Sequence, residues 1–311
     1  MKVLIRFAKM MFTLGLLFIV IGLALTREDD ILSFTNQYIL HRDLDVAILD
    51  PNEYYREDVF AFVKNTDNFS PKNKQDILNI YYTIINSGKE EFTFYCPKEY
   101  IDCREEIERL ANNRDLLSDI NNFVHPFNSF SHIETEYDSL GRVTVFVSRT
   151  YRQDEIKKIN QKVEELYPQL VKEEKNVVEN LQSIHDYIIT HAKYDSNRSD
   201  FQDTTYRSDT AYGPLFEGYA ICGGYTDLMQ LFLEKMKLEN YRISSNRHVW
   251  NAVKINNSWY HIDLTWDDPV ASDGKDYLEH KYFIITTKNL LEQEKTQHNF
   301  NPEIYQELKE A

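Results

Sequence analysis

An α+β fold follows from three features of this 311-residue chain. Several stretches repeat apolar residues at helical spacing. Two pairs of stretches alternate apolar and polar residues across a short turn. A glycine-flanked cysteine stands where a late apolar helix begins. Apolar residues make up 42% of the chain and aromatics 14%, so a sizeable core is expected and a disordered chain is excluded.

Each element can be read in order. Residues 72–87 predict a helix with Ile77, Ile80, Tyr81, Ile84 and Ile85 on one face. Residues 91–96 read as a short strand and 105–122 as a second helix. Residues 132–137 and 142–151 alternate around Asp138-Ser139-Leu140-Gly141, which predicts a hairpin. A helix over 153–166 is interrupted near Pro168, because proline lacks the ladder N–H. In residues 172–191, Val177, Leu181, Ile184 and Ile188 form the stripe of a helix that buries one face. The polar segment 196–209 reads as a surface loop. These patterns divide the chain into an N-terminal hydrophobic segment (1–27), a mixed helix and hairpin region (28–170) and a second domain (171–311).

Lys2, Arg6 and Lys9 precede a charge-free run from residue 10 to 25, and Glu28, Asp29 and Asp30 follow it. Sixteen helical residues reach about 24 Å, short of a hydrocarbon layer of roughly 30 Å. The run is also slightly long for a signal-peptide core. It predicts export, with either an uncleaved membrane anchor facing outside or a cleaved signal at Gly22-Leu23-Ala24. The formal charge of -15 repels phosphates and excludes a nucleic-acid partner. Twenty-one tyrosines suit half-buried strands and surfaces that grip polymers.

Three cysteines occur. Cys96 and Cys103 either bridge outside the cell or remain two structural thiols; Cys222 is the free thiol in both cases. Residues 210–225 read TAYGPLFEGYAICGGY, and an apolar helix resumes at Leu228. A cysteine at a helix start lies beside unsatisfied N–H groups and the positive end of the helix dipole. Both favour thiolate, and the same N–H groups can receive an oxyanion. Gly223 and Gly224 would let a substrate approach the backbone. A lone cysteine is nevertheless more often a small buried apolar side chain.

His248 opens HVWNAVKI, and residues 259–265 read WYHIDLT. Asn256-Asn257 between them suits a two-residue hairpin turn, since asparagine tolerates positive φ. That turn places Ile255 opposite Ser258, Trp250 opposite Asp263 and His248 opposite Thr265. His248 and Asp263 are then diagonal neighbours on one face, roughly 7–8 Å apart at most. A slip of one residue would separate them. His261 shares that face and is a rival base, but neighbours two apart on one strand point in parallel and pair poorly with Asp263. No close ligand pairs such as C-x-x-C or H-x-x-x-H accompany these residues, so no metal site is expected.

The strings SIHDYIITHAKYD (183–195), AYGPLFEGYAICGGY (211–225), RHVWNAVKINNSWYHIDLTWDDP (247–269) and KYFIITTKNLL (281–291) together resemble the transglutaminase-like superfamily, over about residues 175–300. The resemblance implies a papain-related core in which a cysteine-bearing helix packs on an antiparallel sheet. It implies Cys222 as nucleophile, His248 as base and Asp263 as the residue that orients the histidine. By analogy Tyr212 is the candidate oxyanion donor, and Trp266 could wall the cleft. The chemistry implied is acyl transfer on amide bonds of a protein or peptide through a thioester, with no cofactor. Water as acceptor makes a peptidase or amidase, and an amine makes a cross-linking transferase. A cell-wall or surface substrate follows from location alone. A non-catalytic surface binding module on the same fold is the alternative.

Overall fold

The computed structural model describes residues 49–138, 141–269 and 277–309. The hydrophobic segment 1–27 lies outside them. Among the described residues, no helix is long and apolar enough to cross a membrane.

The first helix, α1 (Lys74–Asn86), begins where the Asn73 side chain accepts the Asp76 N–H. Every residue of α1 from Ile77 to Asn86 is buried, so the helix is sheathed on all sides, not on one apolar face. After β1 (Glu91–Tyr95), the single helix expected over 105–122 is two: α2 (Cys103–Ala111) and α3 (Arg114–Asn121). Asn113 separates them because its side chain caps α3 by accepting the Leu116 N–H. A disulfide joins Cys96 to Cys103, tying the end of β1 to the start of α2.

The expected hairpin forms as β2 (Phe130–Tyr137) and β3 (Arg142–Arg149), and β1 adds to the far side of β3. The next helix, α4 (Gln153–Leu170), runs through Pro168. That proline falls in the last turn, so the helix loses one ladder bond near its end and is not broken. The following helix, α5 (Val177–His191), starts at the first residue of its apolar stripe and later than the expected 172, because Asn176 and Glu179 form a reciprocal capping box. A two-residue parallel pairing links β4 (Lys193–Tyr194) to β5 (Tyr219–Ala220). The segment expected to be all loop contains a short helix, α6 (Ser196–Phe201), capped by Asp195.

The cysteine-bearing helix α7 (Cys222–Lys235) packs on a four-stranded antiparallel sheet. The sheet order is β6 (Asn240–Ser244), β7 (Val249–Ile255), β8 (Ser258–Ile262) and β9 (Phe283–Ile285). The short helix α8 (Leu264–Asp267) follows β8, and α9 (Thr287–Gln293) follows β9. Asn256 and Asn257 both adopt positive φ, at 49° and 69°. They set Ile255 opposite Ser258 and Asn251 opposite Ile262, the register expected from the turn.

Among the described residues, two hydrophobic clusters form the core, and both cross residue 170. One joins α1, α2, α3 and the first sheet to Tyr241, Ile243, Trp250, Tyr282 and Tyr305. The other joins Ile156, Ile159 and Val163 of α4 to α5, α7 and Val253. A buried network adds to this second contact: Tyr151 donates to Asp227 on α7 at 2.6 Å, and Arg242 donates to the other oxygen at 2.9 Å. The cysteine-bearing helix is therefore braced from both halves of the chain.

Candidate active site

Cys222 is the first residue of α7, after an extended Ile221 that makes no side-chain cap. The first-turn N–H groups have no carbonyl one turn earlier to bond. Cys222 is in no disulfide, and the residue is half-buried. The two glycines behind it serve a different purpose from the one expected. A Cβ on Gly223 would stand 2.7 Å from the Asp209 carbonyl oxygen, and one on Gly224 would stand 2.3 Å from that of Ser208. Both faces are filled by the chain's own backbone. Gly223 is thus needed for packing the segment 208–210 under the helix start, and it does not open that side to substrate.

His248 lies just before β7 and is buried. Its Nε2 stands 2.5 Å from Asp263 Oδ2. Cys222 acts on the same ring, and its influence favours the protonated imidazole. Trp250 stacks on the imidazole, with centroids 5.4 Å apart and planes 14° from parallel. Burial works against a charged ring here. The Asp263 carboxylate, its hydrogen bond and Cys222 outweigh burial and raise the His248 pKa to about 10. Burial pushes Asp263 the other way too, yet His248 and His298 hold its carboxyl well below the usual carboxylate range.

The pair forms by a route different from the diagonal cross-strand contact expected. The β7–β8 ladder ends at Asn251 and Ile262. Asp263 then leaves the strand and caps α8, its Oδ1 accepting the N–H groups of Thr265 at 3.0 Å and Trp266 at 3.2 Å. Thr265 therefore lies in a helix, not opposite His248. The cap fixes one carboxylate oxygen and leaves the other for imidazoles.

A second imidazole uses it. His298, fully buried, stands with Nε2 2.9 Å from Asp263 Oδ2, and its Nδ1 lies 3.2 Å from the Glu294 carbonyl. Sequence reasoning missed His298 because it lies 35 residues from Asp263 with no pattern around it. Trp266 packs beside His298 and Tyr282, with centroids 5.6 and 5.4 Å away, so it walls the His298 side. The ring of Tyr212 contacts Phe216 and the Lys158 ammonium, and these contacts do not bring it to the thiol. Burial raises the Tyr194 pKa, the Ser199 hydrogen bond works against it, and nearby Cys222 adds to the rise.

The rival base is fully engaged elsewhere. His261 Nδ1 accepts the Trp250 indole N–H at 2.9 Å. Its Nε2 meets Thr287 Oγ1 at 2.9 Å, and that hydroxyl donates onward to the Leu308 carbonyl. The ring is thus a neutral Nε2–H tautomer, and burial lowers its pKa to about 3. Among the described residues, two groups bring enough donor atoms together to hold a cation: His248, Asp263 and His298, and separately His185, Asp186 and His280. In the first group His298 also faces acceptors with both ring nitrogens, Nδ1 toward the Glu294 carbonyl and carboxylate at 3.2 Å and Nε2 toward Asp263 Oδ2 at 2.9 Å.

The chain matches no protein-family model and no curated protein. Part of it is similar to two solved structures. One is a TGase, 11% identical with a TM-score of 0.34, over 44% of this chain and 45% of that one. The other is a candidate cysteine protease from Cytophaga hutchinsonii, 14% identical with a TM-score of 0.28, over 43% of this chain and 61% of that one. The chain spans less than two thirds of either protein.

Proposed function

We propose that this chain is a transglutaminase-like thiol enzyme that acts on amide bonds of proteins or peptides. One observation carries the reading: a single buried imidazole has a carboxylate 2.5 Å from Nε2 and is also influenced by a cysteine at a helix start. This is the relation that nucleophile, base and orienting group require.

In the reaction, the thiol proton rests on His248, whose raised pKa keeps the ring protonated at neutral pH, and the sulfur attacks the amide carbon. The oxyanion that develops is received by the N–H groups of the first turn of α7. His248 then gives the proton to the departing amine, which leaves a thioester on Cys222. Water or a second amine attacks the thioester, with His248 again removing a proton. Asp263 keeps Nδ1 free for the sulfur by holding Nε2–H, and it stabilises the imidazolium between the two proton transfers.

Residues 171–311 supply this chemistry, and described residues between 49 and 170 buttress the sheet next to His248. The charge pattern of residues 1–27 and the bridged Cys96–Cys103 both suit an exported chain. The substrate is then a surface or cell-wall protein or peptide.

Iodoacetamide labelling of the full chain tests the reading. Cys222 should react faster than a free model thiol at neutral pH, and His248→Ala should remove the excess. A rate no higher than that of the model thiol would overturn it. Mass spectrometry of surface proteins from cells carrying the wild type or Cys222→Ala then separates new termini from isopeptide links.

A further inference from the structure

We propose that His185, Asp186 and His280 form a binding site for one divalent cation of the zinc class. The site lies outside the triad, on α5 and on the segment leading into β9. His185 Nδ1 stands 2.9 Å from Asp186 Oδ1, and His280 Nε2 stands 2.6 Å from the same oxygen. All three donor atoms lie within 4.8 Å of one another. Ligands at about 2.0–2.1 Å from zinc stand roughly 2.9 Å apart at a right angle and about 3.4 Å apart at the tetrahedral angle. The cluster thus needs a small opening around a point it already surrounds.

Hydrogen counting gives the reason to place a cation there. His185 is fully buried, and its two ring nitrogens both face carboxylate oxygens: Nδ1 faces Asp186, and Nε2 faces Asp267 Oδ2 at 3.2 Å. A neutral imidazole carries one N–H and can donate to one of them. Asp267 is fully buried, and its other oxygen accepts the Tyr282 N–H at 2.9 Å. If His185 gives its N–H to Asp267, the lone pair on Nδ1 points at a carboxylate. His280 makes a further demand on that same Asp186 oxygen. One cation relieves every lone-pair contact at once. Asp267 then acts as the outer carboxylate that fixes the tautomer of a ligating histidine.

The ligand set suits the site's surroundings. Two imidazoles and a carboxylate are a donor set for zinc and similar borderline metals. The His280 and Asp186 side chains are 37% and 36% exposed, so solvent can supply the remaining ligands. The site also reaches the proposed active site. Asp267 holds His185 at one end, and its own N–H donates to the Asp263 carbonyl at 3.2 Å. A bound cation would therefore steady the turn that carries Asp263.

The test uses the detergent-solubilised full chain carrying Cys222→Ala, stripped with EDTA and titrated with Zn²⁺ by calorimetry. One saturable site should appear. His280→Ala and Asp186→Ala should each weaken it by more than the roughly 10–100-fold that a lost outer partner costs. Both side chains reach solvent, and circular dichroism confirms that the variants fold. Co²⁺ should give visible absorption bands without a thiolate charge-transfer band. Absence of saturable binding, the outcome expected if protons alone satisfy the two rings, overturns the proposal. So does binding that survives both substitutions. Because the nucleophile is absent, failure here leaves the acyl-transfer reading standing.

Discussion

Two groups in this molecule set a pair of imidazoles on a single aspartate, and their surroundings give them different chemistry. Around Asp263, His248 and His298 are both buried, and the second carboxylate oxygen is held by two backbone N–H groups of α8. Around Asp186, one imidazole is buried and the other faces solvent, and no helix cap holds the carboxylate. Of these four imidazoles, His248 is the one whose pKa Cys222 raises. Burial strengthens the first group's internal charges, whereas openness leaves the second able to exchange ligands with water. Donor type alone does not assign a role; the desolvation of the carboxylate and the atom beyond the ring do.

Breaking the Asp263 group should have the largest effect. Asp263→Asn keeps the shape but offers His248 the wrong partner, and acylation by a peptide amide should slow by about 10⁴-fold. His280→Ala should leave that rate unchanged. Single-turnover assays on both variants check the contrast.

The pH dependence comes next. His248 is raised from 6.5 to about 10, so it remains a proton donor across neutral pH, and the rate should fall as pH rises through about 10. The same shift is a stability term. A raised histidine contributes in full below about 6.5, and the contribution is lost as pH climbs through about 10. Asp263 is depressed, so its contribution is present above 3.8 and is lost as pH falls below that value. Urea denaturation should show a decline from pH 6.5 to 10 in the wild type, and a flatter curve in Asp263→Asn.

His298→Ala sharpens the comparison further. It removes a donor to a buried carboxylate while leaving the His248 bond intact. Stability should drop by about 1.5–3 kcal/mol, and the rate should drop by only about tenfold, the equivalent of roughly 1.4 kcal/mol. A loss as large as that of Asp263→Asn would mean that His298 acts on the reacting atoms directly.

The smallest effect on rate belongs to the disulfide. Cys96 and Cys103 are separated by 7 positions, and closing so short a loop is worth about 2–3 kcal/mol in the chain-entropy account. The Cys96→Ser, Cys103→Ser double variant should lose that much in urea denaturation and keep its activity.

Much of the sheet near the site was legible before any coordinates. Asn256-Asn257 specified the turn, the turn specified the register, and the observed pairs agree. Local signals misled where a competing local bond was stronger. Asn113 capped a new helix inside a continuous pattern, and Pro168 fell too close to a helix end to break it. The path of Asp263 was not legible, because a strand-like WYHIDLT run gives no sign that its aspartate will cap a helix.

Hairpin spacing, helix start and residue type are local, and pattern suffices to read them: a two-residue turn admits few registers, and a cysteine beside two glycines before an apolar stripe marks where a helix can begin. Contacts between residues far apart in the chain are set by packing. His298 on Asp263, His185 on Asp267 and the backbone of Asp209 against Gly223 depend on how helices and loops fill space around the sheet. No periodicity along the chain encodes those meetings, so they became visible only when the layers were assembled.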